Sequence, residues 1–196
     1  MSAISAPFGL RPAFHPSGLD RAQALAGGIT SGYATQILKG QPVAYSPSAG
    51  VIVPVTASST NAAWSGAFAG VQWTDTTGRA RVSNYWPANT AYTAGTCTAY
   101  FYNDQNIVYE IQADGPMAQT TIGNEYLFTN VTNGSSTTGL SQANLGASTA
   151  VGNNSQGQMR VVDLAPYVDN AWGDSYTIVR VVNSNSQFFG AITAIA

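Results

Sequence analysis

Residues 68–115 read FAGVQWTDTTGRARVSNYWPANTAYTAGTCTAYFYNDQNIVYEIQADG, the stretch richest in aromatics and home of the single cysteine, Cys97. Within it Ile107, Tyr109 and Ile111 alternate with Val108, Glu110 and Gln112, the period of two of a half-buried strand. Residues 96–102 predict a partner strand. Between the two lies Asn103-Asp104-Gln105-Asn106, whose side chains bond their own backbone and tolerate turn conformations, so the pair predicts a hairpin. A second hairpin is predicted just upstream. Residues 66–73 place Ala67, Ala69, Val71 and Trp73 on one face, Asp75-Thr76-Thr77-Gly78 turns the chain, and residues 79–86 return. Successive hairpins point to antiparallel pairing rather than to crossover helices.

The same texture extends outward. Residues 33–55 carry Gly40, Pro42, Pro47, Gly50 and Pro54, which confine their short strands to edges, ends or bulges. Residues 126–128, 158–164, 175–183 and 187–195 predict further strands. The polar region 129–158 is too long to be structureless in a compact domain, so residues 139–145 are expected to add a short strand or turn. About ten short strands with almost no helix read as an all-β fold, a small antiparallel barrel or sandwich. Residues 1–32 differ: Pro7, Pro12 and Pro16 with Gly9 and Gly18 forbid a regular helix or central strand. They predict an extended N-terminal arm followed by a single β domain over 33–196. Phe8, Leu10 and Phe14 give that arm apolar side chains with which to order against a surface. A short helix is expected from the cap at Ser17 through Ala26, stopped by Gly27-Gly28.

Charged residues make up 8% of the 196, against ~25% in an average soluble protein. A polar surface so poor in charge suits either extensive contact with other protein or a hydroxyl-rich secreted β-protein. The formal charge of −2 is unevenly spread. Through Val82, Arg11, Arg21, Lys39, Arg79 and Arg81 outweigh Asp20 and Asp75. Beyond it, Arg160 and Arg180 face Asp104, Glu110, Asp114, Glu125, Asp163, Asp169 and Asp174. The asymmetry suits contacts between copies, but the cations are too few and too scattered for nucleic acid. One cysteine makes no intrachain disulfide. Without a basic leader and apolar run at the N-terminus, or a span of ~20 apolar residues, the expectation is cytoplasmic synthesis with no membrane partner. The sequons at Asn130, Asn133 and Asn153 then carry no glycan.

No set of side chains composes a catalytic pattern, and no cofactor or metal is expected. His15, the only histidine, lacks a framework to hold it as a base. Cys97 is expected as a small buried thiol beside Ala99 and Phe101, with no neighbouring base to activate it. Asp104, Glu110 and Asp114 show no convergence of the kind that paired-carboxylate hydrolysis requires. Residues 103–106 lack the glycine and distal glutamate of a calcium loop. Trp64, Trp73, Trp86 and Trp172 suit core or subunit packing, the alternative being a sugar-stacking platform. Tyr85 and Trp86, beside Pro87, are the aromatics expected at a subunit interface.

Taken in order, PFGLRP at residues 7–12, GYATQILKGQPV at 32–43, GAFAGVQWTD and SNYWPA within 66–88, VYEIQADG at 108–115 and MRVVDLAP at 159–166 resemble the head decoration, or cement, proteins of tailed bacteriophages. The likeness spans most of the chain, and its motifs are structural. It implies a homo-oligomer, a trimer in preference to a dimer, that binds the major capsid protein on the capsid exterior and stabilises the head without catalysis. Under that reading Phe8, Arg11 and Phe14 of the arm are the expected capsid contacts, laid in a groove or along an exposed strand. The alternatives are a carbohydrate- or receptor-binding virion module using residues 129–158 and exposed tryptophans, and a neck or tail structural protein.

Overall fold

The computed structural model describes residues 2–18, 24–55, 62–152 and 155–188. Their regular structure is almost wholly strand: β1 (Arg11–Phe14), β2 (Ala24–Gly27), β3 (Pro42–Tyr45), β4 (Ile52–Pro54), β5 (Gly66–Thr74), β6 (Ala80–Ser83), β7 (Thr98–Tyr102), β8 (Val108–Gln112), β9 (Glu125–Tyr126), β10 (Phe128–Thr129), β11 (Gly134–Ser135), β12 (Leu140–Ser141), β13 (Asn144–Leu145), β14 (Met159–Leu164) and β15 (Ile178–Asn183). Helical structure among the described residues is limited to one 3-10 turn, Gln119–Thr121. One large sheet runs β1-β8-β15-β14-β9. The other runs β2-β7-β5-β3-β4, with β6 also paired to β5, and two short ladders join β10 to β13 and β11 to β12. The named strand pairs are antiparallel, and neither large sheet closes on itself. The all-β expectation therefore resolves to an open, sandwich-like arrangement rather than a barrel.

The turn at Asp75 forms as expected. Its Oδ1 accepts from the backbone N–H groups of Thr77 (2.9 Å) and Arg79 (3.0 Å), and β5 pairs with β6 from Val71 opposite Ser83 to Thr74 opposite Ala80. The expected hairpin of residues 96–102 with 107–112 does not form. β7 lies in one sheet and β8 in the other, and residues 103–107 carry the chain between them. Ala99 and Phe101 of β7 and Tyr109 and Ile111 of β8 are all buried, so alternation is satisfied on two separate sheets as well as on one. Asp104 holds the corner by accepting from the Asn106 N–H (2.8 Å).

A bulge between Phe68 and Gly70 resets the face of β5. Phe68, Val71 and Trp73 enter one core with Ile37, Val43, Trp86 and Phe101. Ala67 enters the other, with Trp64, Tyr109, Ile111, Phe128, Met159 and Val179. Ala69, expected to share the inward face, instead lines a hollow beside Val82 and Tyr100. In the polar region, β12 and β13 supply the short strands expected near residues 139–145. Of the strand expected over 187–195, residues 189–195 lie outside the described residues.

The described part of residues 1–32 is extended, as its prolines require, and it pairs with strands of the body. β1 pairs with β8, and β2 pairs with β7 where the end of a helix was expected; residues 19–23 of that helix lie outside the described residues. Leu10 is buried in the first core, and its N–H donates to the Gly40 carbonyl (2.8 Å).

Neutral amides do much of the linking that charges do elsewhere. Gln41 accepts from the Leu38 N–H (2.8 Å) and donates to the Val131 carbonyl (2.9 Å). Gln112 accepts from Ala6 N–H (2.8 Å) and donates to the Ile4 carbonyl (3.1 Å). Gln158 accepts from Phe128 N–H (2.9 Å) and donates to the Ala62 carbonyl (3.2 Å). Each acts as a surrogate peptide group, and a buried amide is tolerable when both its ends are bonded.

Candidate functional site: the docked N-terminal segment

The segment from Ser2 to Phe14 lies against β8 and the 165–176 loop through polar clips. The Tyr176 N–H donates to the Ser2 carbonyl (2.8 Å), and the Ser2 hydroxyl donates to the Asp169 carbonyl (2.5 Å) and to the Asp174 carboxylate. Gln112 then holds Ile4 and Ala6, and Glu110 holds Arg11.

Glu110 is the electrostatic centre. Arg11 and Arg180 are its direct cross-strand partners on either side, so three strands carry plus, minus, plus in register. Arg11 Nη2 lies 2.6 Å and Arg180 Nε 3.5 Å from its carboxylate. The Tyr167 hydroxyl donates to the same carboxylate and accepts from Arg11. Burial, the largest single influence, pushes the Glu110 carboxyl up; the Tyr167 and Arg11 bonds and the two guanidinium charges outweigh it and hold the group below the ordinary glutamate range. The Arg11 guanidinium also stacks over Phe8, 4.8 Å from the ring centroid.

The three expected contacts are thus separated in role. Arg11 is engaged inward, with about half of its side chain still exposed. Phe8 is half-buried and lines a hollow of about 300 Å³ with Leu10, Lys39, Phe68, Tyr102 and Leu140. Phe14 is 52% exposed at the end of β1, and Ile4, which sequence reasoning did not single out, is 71% exposed. Phe14, at the end of an edge strand, and Ile4, bonded only through its backbone, present apolar surface with no described partner.

Trp86, expected at a subunit interface, is wholly buried within the one chain. Its backbone pairs with Ile37, and its ring meets Trp73 at 5.5 Å and Tyr92 at 6.0 Å, both edge-on. A side chain with no exposed surface has none to give a second copy. Tyr85 is half-buried. Trp64 is also fully buried, Trp73 is 9% exposed, and Trp172 is half-buried against the first core.

Several other titratable groups are engaged within the chain. His15 is buried; its Nδ1 accepts from the Ser17 N–H (3.1 Å), which leaves Nε2 to donate to Asp104 (3.0 Å). Both ring nitrogens are occupied in tying β1 to the 103–107 corner. Asp104 spends its other oxygen on Asn106, and its backbone bond to that residue, with His15, lowers its carboxyl against the effect of burial. Cys97 packs against the second core, where burial raises its thiol. Glu125, fully buried, accepts from the Gly157 N–H (2.7 Å) and from Arg160 (3.1 Å), its cross-strand partner; burial dominates and raises its carboxyl. Among the described residues no three His, Cys, Asp or Glu side chains converge to hold a metal. No described helix is long and apolar enough to cross a membrane.

Glu110, Tyr167 and Arg180 were missed as partners of Arg11 because they lie far from it in the chain. The signal for Lys39 was present: it is the only lysine of the sequence. No protein-family model, curated protein or solved structure matches this chain.

Proposed function

We propose that this protein is a structural component of a tailed-phage virion. It binds the exterior of the assembled capsid as a homo-oligomer, bridges neighbouring copies of the major capsid protein and stabilises the head by binding alone. The observation that carries the reading is the docked N-terminal segment: its backbone is fixed by Gln112, Glu110, Ser2 and Gly40, while Ile4 and Phe14 point outward. A pre-ordered apolar segment loses little entropy on binding, and repeated weak contacts across an oligomer on a lattice raise avidity by roughly 10²–10⁴. The charge-poor surface and the motif order quoted above support the same reading.

Deletion of the segment is a poor test, because it would uncover the core at Leu10 and remove β1, the edge strand beside β8. Ile4→Ser and Phe14→Ser leave both intact. Each is expected to weaken coating of expanded heads, and the pair to abolish it, with folding unchanged by thermal denaturation. Undiminished coating by the double variant would remove the segment from the contact, and wild-type protein that leaves heads bare would remove the reading itself.

A further inference from the structure

With Trp86 withdrawn into the core, the copy-to-copy contact needs another surface. The hollow of about 300 Å³ beside β1 has an apolar floor of Phe8, Leu10, Phe68, Tyr102 and Leu140. Its rim is cationic: Lys39 is exposed with no carboxylate within 4 Å among the described residues, and Arg11 shares the single carboxylate of Glu110 with Arg180. Lys39 and Arg11 against Glu110 leave a formal +1 at the rim, on a chain whose total is −2.

The complementary shape lies on the loop after β14. Val168 is fully exposed, the most exposed of the large apolar side chains among the described residues. In sequence Asp163, Asp169 and Asp174 flank it, with no Lys or Arg from 161 to 179, and Asp163 is the cross-strand partner of Arg180. The loop is fixed rather than slack: Asn170 bonds the Ala165 carbonyl (2.8 Å) and both backbone groups of Ile178 (2.8 and 3.0 Å), and Ala171 N–H bonds Asp174 (2.7 Å). Tyr167 reaches Arg11 from this loop, yet Val168 does not line the hollow of its own chain.

We propose that the hollow receives the 165–174 loop of a second copy of this chain, with Val168 seated on the apolar floor and the aspartates facing Lys39 and Arg11. An apolar knob flanked in sequence by acid fits an apolar hollow with a basic rim, and the pairing of two different patches is heterologous, a kind that closes into a ring where the rotation between copies allows it. The contact names the surface for the self-association in the reading above; it requires copies of the chain but not the capsid.

Because Lys39 is the only lysine, a carbodiimide, which joins an amine to a carboxylate with loss of water, reports on this hollow alone apart from the chain's amino terminus. A mixture of ordinary and heavy-nitrogen protein is cross-linked and digested after arginine. The expected product joins Lys39 of one isotope to residues 161–180 of the other, a single peptide carrying all three aspartates. By sedimentation over a dilution series, Val168→Asp and Lys39→Glu should each weaken association at least ~tenfold, with unchanged thermal unfolding. The proposal is overturned by a wild type of one-chain mass throughout, by Val168→Asp associating like wild type, or by Lys39 joined to carboxylates outside 161–180. Coating of heads by a strictly monomeric protein would sink this contact and the homo-oligomer while leaving capsid binding standing, whereas an associating protein that ignores heads would do the reverse.

Discussion

Replacing Gln112 by leucine tests whether the N-terminal segment is held by its polar clips. The side chain is 1% exposed and similar in size to leucine, so no cavity opens. What is lost is the pair of hydrogen bonds to Ala6 N–H (2.8 Å) and the Ile4 carbonyl (3.1 Å). Each is worth about 0.5–1.5 kcal/mol net, and because Ile4 and Ala6 are exposed, water partly replaces the lost partners. The expected cost is therefore about 1–2 kcal/mol, a factor of roughly 5–30 in the opening equilibrium. Native-state hydrogen exchange reads it at two amides. Ala6 should exchange faster by that factor, while Leu10, bonded to Gly40 and anchored in the core, keeps its protection. Unchanged exchange at Ala6 would refute the clip. Equal acceleration at Leu10 would show that the segment and the core open as one unit.

Trp86→Ala should cost ~3–5 kcal/mol in urea unfolding, the usual price of a fully buried aromatic, whereas Tyr85→Ala should cost far less; comparable losses would return Trp86 to the surface. The two buried glutamates predict opposite pH effects. The Glu110 carboxyl is lower in the folded chain than in the unfolded one, so its contribution is complete above the ordinary glutamate range and lost as pH falls through the folded value. The Glu125 carboxyl is raised, so its contribution is lost as pH rises from the ordinary range through the raised value. Urea midpoints across acid pH should accordingly flatten on one side in Glu110→Gln and on the other in Glu125→Gln, and identical profiles would contradict both assignments. Gly66→Ala would set its Cβ on the Tyr102 carbonyl where β3, β5 and β7 meet, and a loss of at least ~3 kcal/mol is expected by denaturant titration.

Much of the fold was legible because strands announce themselves by period. The Asp75 turn, the strands near 42–54 and the pair ending the described chain all lie where alternation and turn residues put them. The failures are of partnership. Ala99 and Phe101 alternate identically whether β7 pairs with β8 or faces another sheet, and Asp104 makes its local bond to Asn106 in either case. The cap pattern at Ser17 and the glycines at 27 and 28 suit a helix, yet residues 24–27 pair with an open edge of β7; tertiary pairing overrides a weak local preference. The candidate site was visible only in outline. Phe8 and Phe14 marked the segment, but what fixes it, Gln112, Glu110 and Tyr167, lies about a hundred residues or more away. Trp86 looked like a surface aromatic because of the proline after it, while its burial depends on Trp73 and Ile37.

The measurement that bears most directly on the proposed role is electron cryomicroscopy of tailed-phage particles incubated with this protein. Copies should stand on the outer face of the capsid, with β1 and the Ile4–Phe14 side turned toward the capsid subunits. Density confined to the neck or tail, or an outer surface free of the protein, would contradict it.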